Sequence, residues 1–157
     1  MKAIFFDIDG VLNSNKFICN HPGQTIDPKN IENLAAIVKT TDAKLVLTCE
    51  NREEYVKQNT DDSMVIEFNQ KFAEAGLELY GVTPSKQEIS GKYEDYGRNF
   101  EVSEYVKRNN VEKLVILDDM DIDWDRVGYE KFWINTENIV NGLTAEDAKE
   151  AIGILNE

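Results

Sequence analysis

The tightest constraint on the fold lies in the first dozen residues. In Lys2-Ala3-Ile4-Phe5-Phe6-Asp7-Ile8-Asp9-Gly10-Val11-Leu12, an apolar run stops abruptly at two aspartates spaced by one residue. Residues 3–6 predict a buried strand, because the run is short and rich in bulky apolar side chains. Gly10 permits a sharp turn just beyond the acids. Carboxylates at the carboxyl end of a central strand lie where open α/β sheets bind ligands. Two acids held this close repel each other, so a cation or a shared proton should accompany them.

Four further strands are predicted at 44–48, 78–82, 113–117 and 132–134, and helical patterns separate most of them. The first helix starts with Asp27 as N-cap and Pro28 at the first helical position, and its apolar face is Ile31, Leu34, Ala35 and Val38. A second runs over 63–75 and ends at Gly76. A third covers 99–109 and buries Val102, Tyr105 and Val106. The last opens at Thr144, with Asp147 where a capping-box acid belongs. Alternation of this kind predicts an α/β fold, a parallel five-stranded sheet with helices on both faces. Residues 13–25 and 85–97 lack periodicity, the first reading as a loop or short flap beside the Gly10 turn.

At 157 residues the chain fits a single domain spanning 1–157, with no room for a large inserted cap. No apolar run approaches a membrane span, and the start of the chain lacks a signal-peptide layout, so a cytoplasmic location is expected. The two cysteines, Cys19 and Cys49, do not make a disulfide framework. The net charge of −13, with no Lys/Arg cluster to interrupt it, opposes nonspecific association with a polyanion.

Two more strand ends carry chemistry-bearing residues. The second closes on Thr48-Cys49-Glu50-Asn51-Arg52, and the fourth on Asp118-Asp119. In a parallel sheet Asp118 and Asp119 come to the same edge as Asp7. Asp121, Asp123 and Asp125 follow, but a calcium loop is ruled out. A twelve-residue loop starting at Asp119 would put Trp124 where glycine is needed, and one starting at Asp121 would end on Phe132.

These features together resemble the haloacid dehalogenase (HAD) superfamily of phosphohydrolases. Within it they resemble the small HAD domains of Swiss army knife RNA-repair proteins and their stand-alone relatives. The resemblance rests on Asp7-Ile-Asp-Gly-Val-Leu-Asn13, Gly81-Val-Thr-Pro84, Arg98-Asn-Phe-Glu101-Val102 and Gly142-Leu-Thr144. It implies a three-layer Rossmann-like fold and a Mg2+-dependent phosphomonoesterase. Asp7 would be the nucleophile forming an aspartyl-phosphate, and Asp9 the general acid/base. Asp118 and Asp119 would hold Mg2+, with a carboxylate oxygen from Asp7 and the backbone carbonyl of Asp9; Asp123 would stand outside them. Thr48 would donate to the phosphoryl group, and Cys49, read as a half-buried strand-end residue, would touch the ligand through its backbone. Charge balance asks for a protein cation, for which Lys86, Lys92 and Arg98 are candidates; Arg98, in the place of the branch's Arg-x-x-Glu-Ile arginine, is favoured. The branch's usual Ser-Ser-x-Trp-Arg is Thr48-Cys49-Glu50-Asn51-Arg52 here, so Trp is lost and Glu50 adds charge near a phosphate site. The substrate is therefore open between a phosphorylated small molecule and a nucleic-acid end. A non-catalytic domain binding metal or phosphate for regulation is the alternative from another class.

Other chemistries fit poorly. Six residues past Cys49 stands Tyr55 and past Cys19 stands Thr25, so neither has the Cys-x5-Arg spacing of a phosphate-loop phosphatase. The single histidine, His21, reads as a surface residue and cannot build a multi-histidine zinc site. No Gly-x-Gly-x-x-Gly or Walker A loop is present. Trp124 and Trp133 read as packing residues.

Overall fold

A computed structural model describes residues 1–57, 59–85, 88–89 and 97–157. Among these, the strands are β1 (Lys2–Phe6), β2 (Lys44–Leu47), β3 (Leu79–Val82), β4 (Lys113–Asp118) and β5 (Trp133–Asn135). The helices are α1 (Asn15–Asn20), α2 (Pro28–Thr41), α3 (Ser63–Glu74), α4 (Arg98–Arg108) and α5 (Ala145–Asn156). The sheet is wholly parallel, in the order β3-β2-β1-β4-β5. No helix among the described residues is long and apolar enough to cross a membrane.

Local chemistry sets the helix ends. Asp27 accepts from the Lys29 N–H at 3.0 Å, and Pro28 opens α2 with its φ already helical. The helix closes on Asp42, whose φ of 55° lets its N–H reach back to Val38. Thr144 and Asp147 exchange side-chain and backbone bonds at the start of α5, completing a capping box.

Alternation along the central strands divides the core in two. Ile4, Phe6, Leu45, Leu47, Val115 and Leu117 face α2, α3 and α5. Ala3, Phe5, Val46, Leu114 and Ile116 face Val102 and Tyr105 of α4 together with Trp124. Both faces are thus covered, as parallel sheets require: among the described residues, α2, α3 and α5 lie on one side, and α4 with the short turn Trp124–Val127 on the other. On the thicker side Phe6 stacks against Phe68 and Phe72, with ring centroids 6.5 and 6.1 Å away.

Register places the site. Phe6 is level with Leu47 on one side and Leu117 on the other, so Asp7, Thr48 and Asp118 emerge together at the carboxyl edge. Chain leaving β1 turns toward α2 on one face, and chain leaving β4 turns toward Trp124 on the other. Their divergence makes the two strand ends the switch point of the sheet, where open α/β sheets bind ligands.

Two expectations need correction. Residues 13–25 hold a short helix, α1, rather than only loop; Ser14 caps it by accepting from Phe17 N–H, and Phe17 anchors it in the interior. The fifth strand begins one residue late, at Trp133, because Glu130–Phe132 forms a tight helical turn first.

Candidate active site

Asp7 is 8% exposed and Asp118 fully buried. Asp7 Oδ1 accepts from its neighbour's amide, Ile8 N–H, at 2.8 Å, and Asp118 Oδ1 accepts from Met120 N–H at 3.0 Å. The other oxygens of both acids meet at Arg98, whose Nη1 donates to Asp7 Oδ2 at 2.8 Å and to Asp118 Oδ2 at 2.7 Å. Asp119 joins from the rim: carboxylate oxygens of Asp7, Asp118 and Asp119 lie within 4.8 Å of one another. Asn138 holds Asp119 from the side, donating from Nδ2 to Oδ2 at 2.9 Å.

Burial dominates the electrostatics. It pushes Asp118 up to about 6, with Arg98 pulling down and Asp7 pushing further up. Asp7 is raised for the same reason, against the same arginine. Burial works against the Arg98 charge, yet Asp7 and Asp118 outweigh it and hold the guanidinium protonated. Cys49 is pushed up to about 12, first by burial and then by Asp7, so its thiol stays neutral and is no nucleophile near neutral pH.

Gly10 lets the turn close. Its φ is +78°, and a side-chain carbon there would overlap the Asp119 carboxylate. Thr136 Oγ1 donates to the Gly10 carbonyl at 2.7 Å, and Asn13 Oδ1 accepts the Gly10 N–H at 2.9 Å. Asn13 Nδ2 in turn donates to Asp9 Oδ1 at 3.1 Å and to the Thr25 carbonyl at 2.8 Å. Asp9 is therefore exposed to solvent yet fixed in direction.

A family model described as the HAD domain in Swiss Army Knife RNA repair proteins matches residues 3–148 of the 157-residue chain. The chain belongs to this family. No curated protein and no solved structure matched it. Membership in the HAD family supports a hydrolase, and the triad of aspartates is in keeping with one.

Most of the residues singled out in the HAD sequence motifs meet at one edge. The Asp7, Asp118 and Asp119 carboxylates cluster, and Arg98 bridges Asp7 and Asp118. Asp9 is tied to the same turn, but its carboxylate is not part of the triad. Thr48 stands at the β2 tip with its hydroxyl donated to the Phe6 carbonyl at 3.0 Å. Cys49 is buried rather than half-buried. Asp123 lies outside the triad; with a φ of 48° it turns the chain into Trp124, and its carbonyl accepts from Asn99 Nδ2. Lys86, Lys92 and most of the 85–97 loop lie outside the described residues. The two tryptophans pack as expected, and their indole N–H groups also brace the β4 exit at the Asp118 and Met120 carbonyls.

Sequence reasoning missed the supporting polar residues. Asn13 and Asn138 aim two of the aspartates, and nothing in their spacing announces it. Arg52 and Glu101 form a buried ion pair across 49 positions. Their signal was available: each is the charged end of a short pattern whose other end, Thr48 or Arg98, had already been chosen for the site.

Proposed function

We propose that this HAD domain is a Mg2+-dependent phosphomonoesterase that works through an aspartyl-phosphate on Asp7. The reading is supported above all by the meeting of the Asp7, Asp118 and Asp119 carboxylates, two of which, Asp7 and Asp118, share the Arg98 guanidinium. Three hard oxygen donors so close suit Mg2+, and their mutual repulsion favours a divalent cation. Asp7, Asp118 and Asp119 would hold it with carboxylate oxygens and Asp9 with its backbone carbonyl. Bound there, Mg2+ supplies Lewis-acid neutralisation of the phosphoryl oxygens.

The protein's own groups account for the rest. A carboxylate oxygen of Asp7 attacks phosphorus, the bond from phosphorus to the leaving oxygen breaks, and Asp9 gives its proton to that oxygen. Asp9 then takes a proton from water. The water oxygen attacks phosphorus, the bond to Asp7 breaks, and inorganic phosphate leaves. Ile8 N–H and Arg98 orient the nucleophile and oppose the upward push of burial on its carboxyl. Arg98 also offsets the charge that develops on the transferring group. Thr48 would donate to a phosphoryl oxygen by turning its hydroxyl away from the Phe6 carbonyl, with the Cys49 backbone beside it.

The family's RNA-repair description favours a phosphorylated nucleic-acid end as a second substrate reading, against which the net charge of −13 weighs. Hydrolysis of p-nitrophenyl phosphate tests the chemistry. Activity in Mg2+ is expected to vanish with EDTA and in Asp7→Asn; an active Asp7→Asn protein would refute the nucleophile assignment. Phosphorylated metabolites and 3′- or 5′-phosphorylated oligonucleotides then sort the substrates. Mg2+ binding without turnover of any of them would point to the non-catalytic, regulatory alternative.

A further inference from the structure

Arg52 follows β2 on the tight turn Arg52–Val56 and is 5% exposed. Its guanidinium gathers three segments. Nη1 donates to the Cys49 carbonyl at 3.1 Å, Nε to the Thr83 carbonyl at 2.7 Å and Nη2 to the Pro84 carbonyl at 2.7 Å. Nη2 also pairs with Glu101 Oε2, and Glu101 is 8% exposed. The exits of β2 and β3 are thereby fastened to α4.

Glu101 stands three positions after Arg98, one turn along α4 on the same side. That first turn starts at Gly97, which offers no side-chain cap. Side chains of the turn itself tether it instead. Asn99 ties it to the Asp123 carbonyl on the β4 side, and Glu101 ties it to Arg52 on the β2 and β3 side. Between the two anchors Arg98 reaches Asp7 and Asp118. A buried ion pair is poor at stabilising a fold compared with apolar residues of similar size. Its directional bonds to three backbone carbonyls and one helix are better suited to holding position.

We propose that Arg52 and Glu101 are positioning residues, a clamp that sets the first turn of α4 and so aims Arg98 at the nucleophile while fixing the Thr48–Cys49 tip. The effect on turnover rests on the phosphatase reading; the aiming of Arg98 does not. Gly81-Val-Thr-Pro84 acquires a role in the same way, since its last two carbonyls are what the arginine grips.

The test uses two conservative variants of the whole chain, with 15N-arginine labelling. Glu101→Gln keeps side-chain length and an acceptor oxygen but not charge. Glu101→Asp keeps charge but withdraws the carboxylate by one methylene. The first readout is the guanidinium resonances of Arg98, assigned by their loss in Arg98→Lys; a clamped guanidinium rotates slowly and its protons are resolved. The clamp requires Glu101→Gln to keep these signals and Glu101→Asp to broaden them. The second readout is turnover of p-nitrophenyl phosphate, where Glu101→Asp should lose roughly 10- to 100-fold in kcat with KM little changed, and Glu101→Gln should keep most of it. Retention by Glu101→Asp and loss by Glu101→Gln would show that charge alone matters and overturn the proposal. So would unchanged Arg98 signals in both. An inactive wild-type protein would defeat the phosphatase reading while the resonances still decide the clamp.

Discussion

Gly10→Ala should uncouple Asp119 from the rest of the acids, and a double-mutant cycle can show it. Gly10 has a φ of +78°, so an alanine there bears a backbone penalty of about 1–2 kcal/mol wherever Asp119 sits. Its new methyl would also overlap Asp119 Cγ and Oδ2 and lie 2.8 Å from Asp119 Cβ. Forcing a short side chain out of such a contact costs roughly another 1–3 kcal/mol, and it breaks the Asn138 bond that aims the carboxylate. Asp119→Ala deletes the two nearest atoms, so Gly10→Ala should cost less in that background by about 1–3 kcal/mol. Urea denaturation followed through Trp124 and Trp133 measures all four proteins in metal-free buffer. Mg2+ titration of Gly10→Ala should show a loss of affinity like that of Asp119→Ala. If the two substitutions add to within about 0.5 kcal/mol, Asp119 does not press on Gly10 and the account of this turn is wrong.

Gly142→Ala should destabilise more severely, by upwards of about 3 kcal/mol in the same urea assay. The position has a φ of +63°, and the methyl would overlap Asn30 while meeting the Asn13 carbonyl at 2.5 Å and the Val11 carbonyl at 2.9 Å, backbone atoms that cannot step aside. In EDTA, Asp118→Asn should become more stable relative to wild type as pH rises from about 4 to about 7.5, by about 2 kcal/mol. The sign follows from a folded-state value raised from 3.8 to about 6: the folded protein binds the proton more tightly, so stability falls as pH climbs through that window, and the asparagine escapes the fall. A stability difference that ignores pH would contradict it. A thiol reagent at pH 8 should label exposed Cys19 in the native protein and reach Cys49 only on unfolding, since burial and a raised pKa keep that thiol protonated and covered; rapid labelling of both would contradict the packing around β2.

Relations between near neighbours in the chain could be read without coordinates. Asp27 and Pro28 start α2, Thr144 and Asp147 cap α5, and short apolar runs ending in Asp7, Thr48 and Asp118 form central strands, because capping and alternation act within a few residues of one another. Once the sheet is parallel, those ends must share an edge, so the meeting of the acids was legible too. Tertiary structure alone decided what depends on partners far along the chain. It paired Arg52 with Glu101 and turned Asn138 toward Asp119. It bent residues 15–20 into a helix pinned by Phe17 and turned the Thr48 hydroxyl onto the Phe6 carbonyl. A buried polar group must find whichever partner the packing brings within about 3 Å, and no local pattern of residue types names that partner.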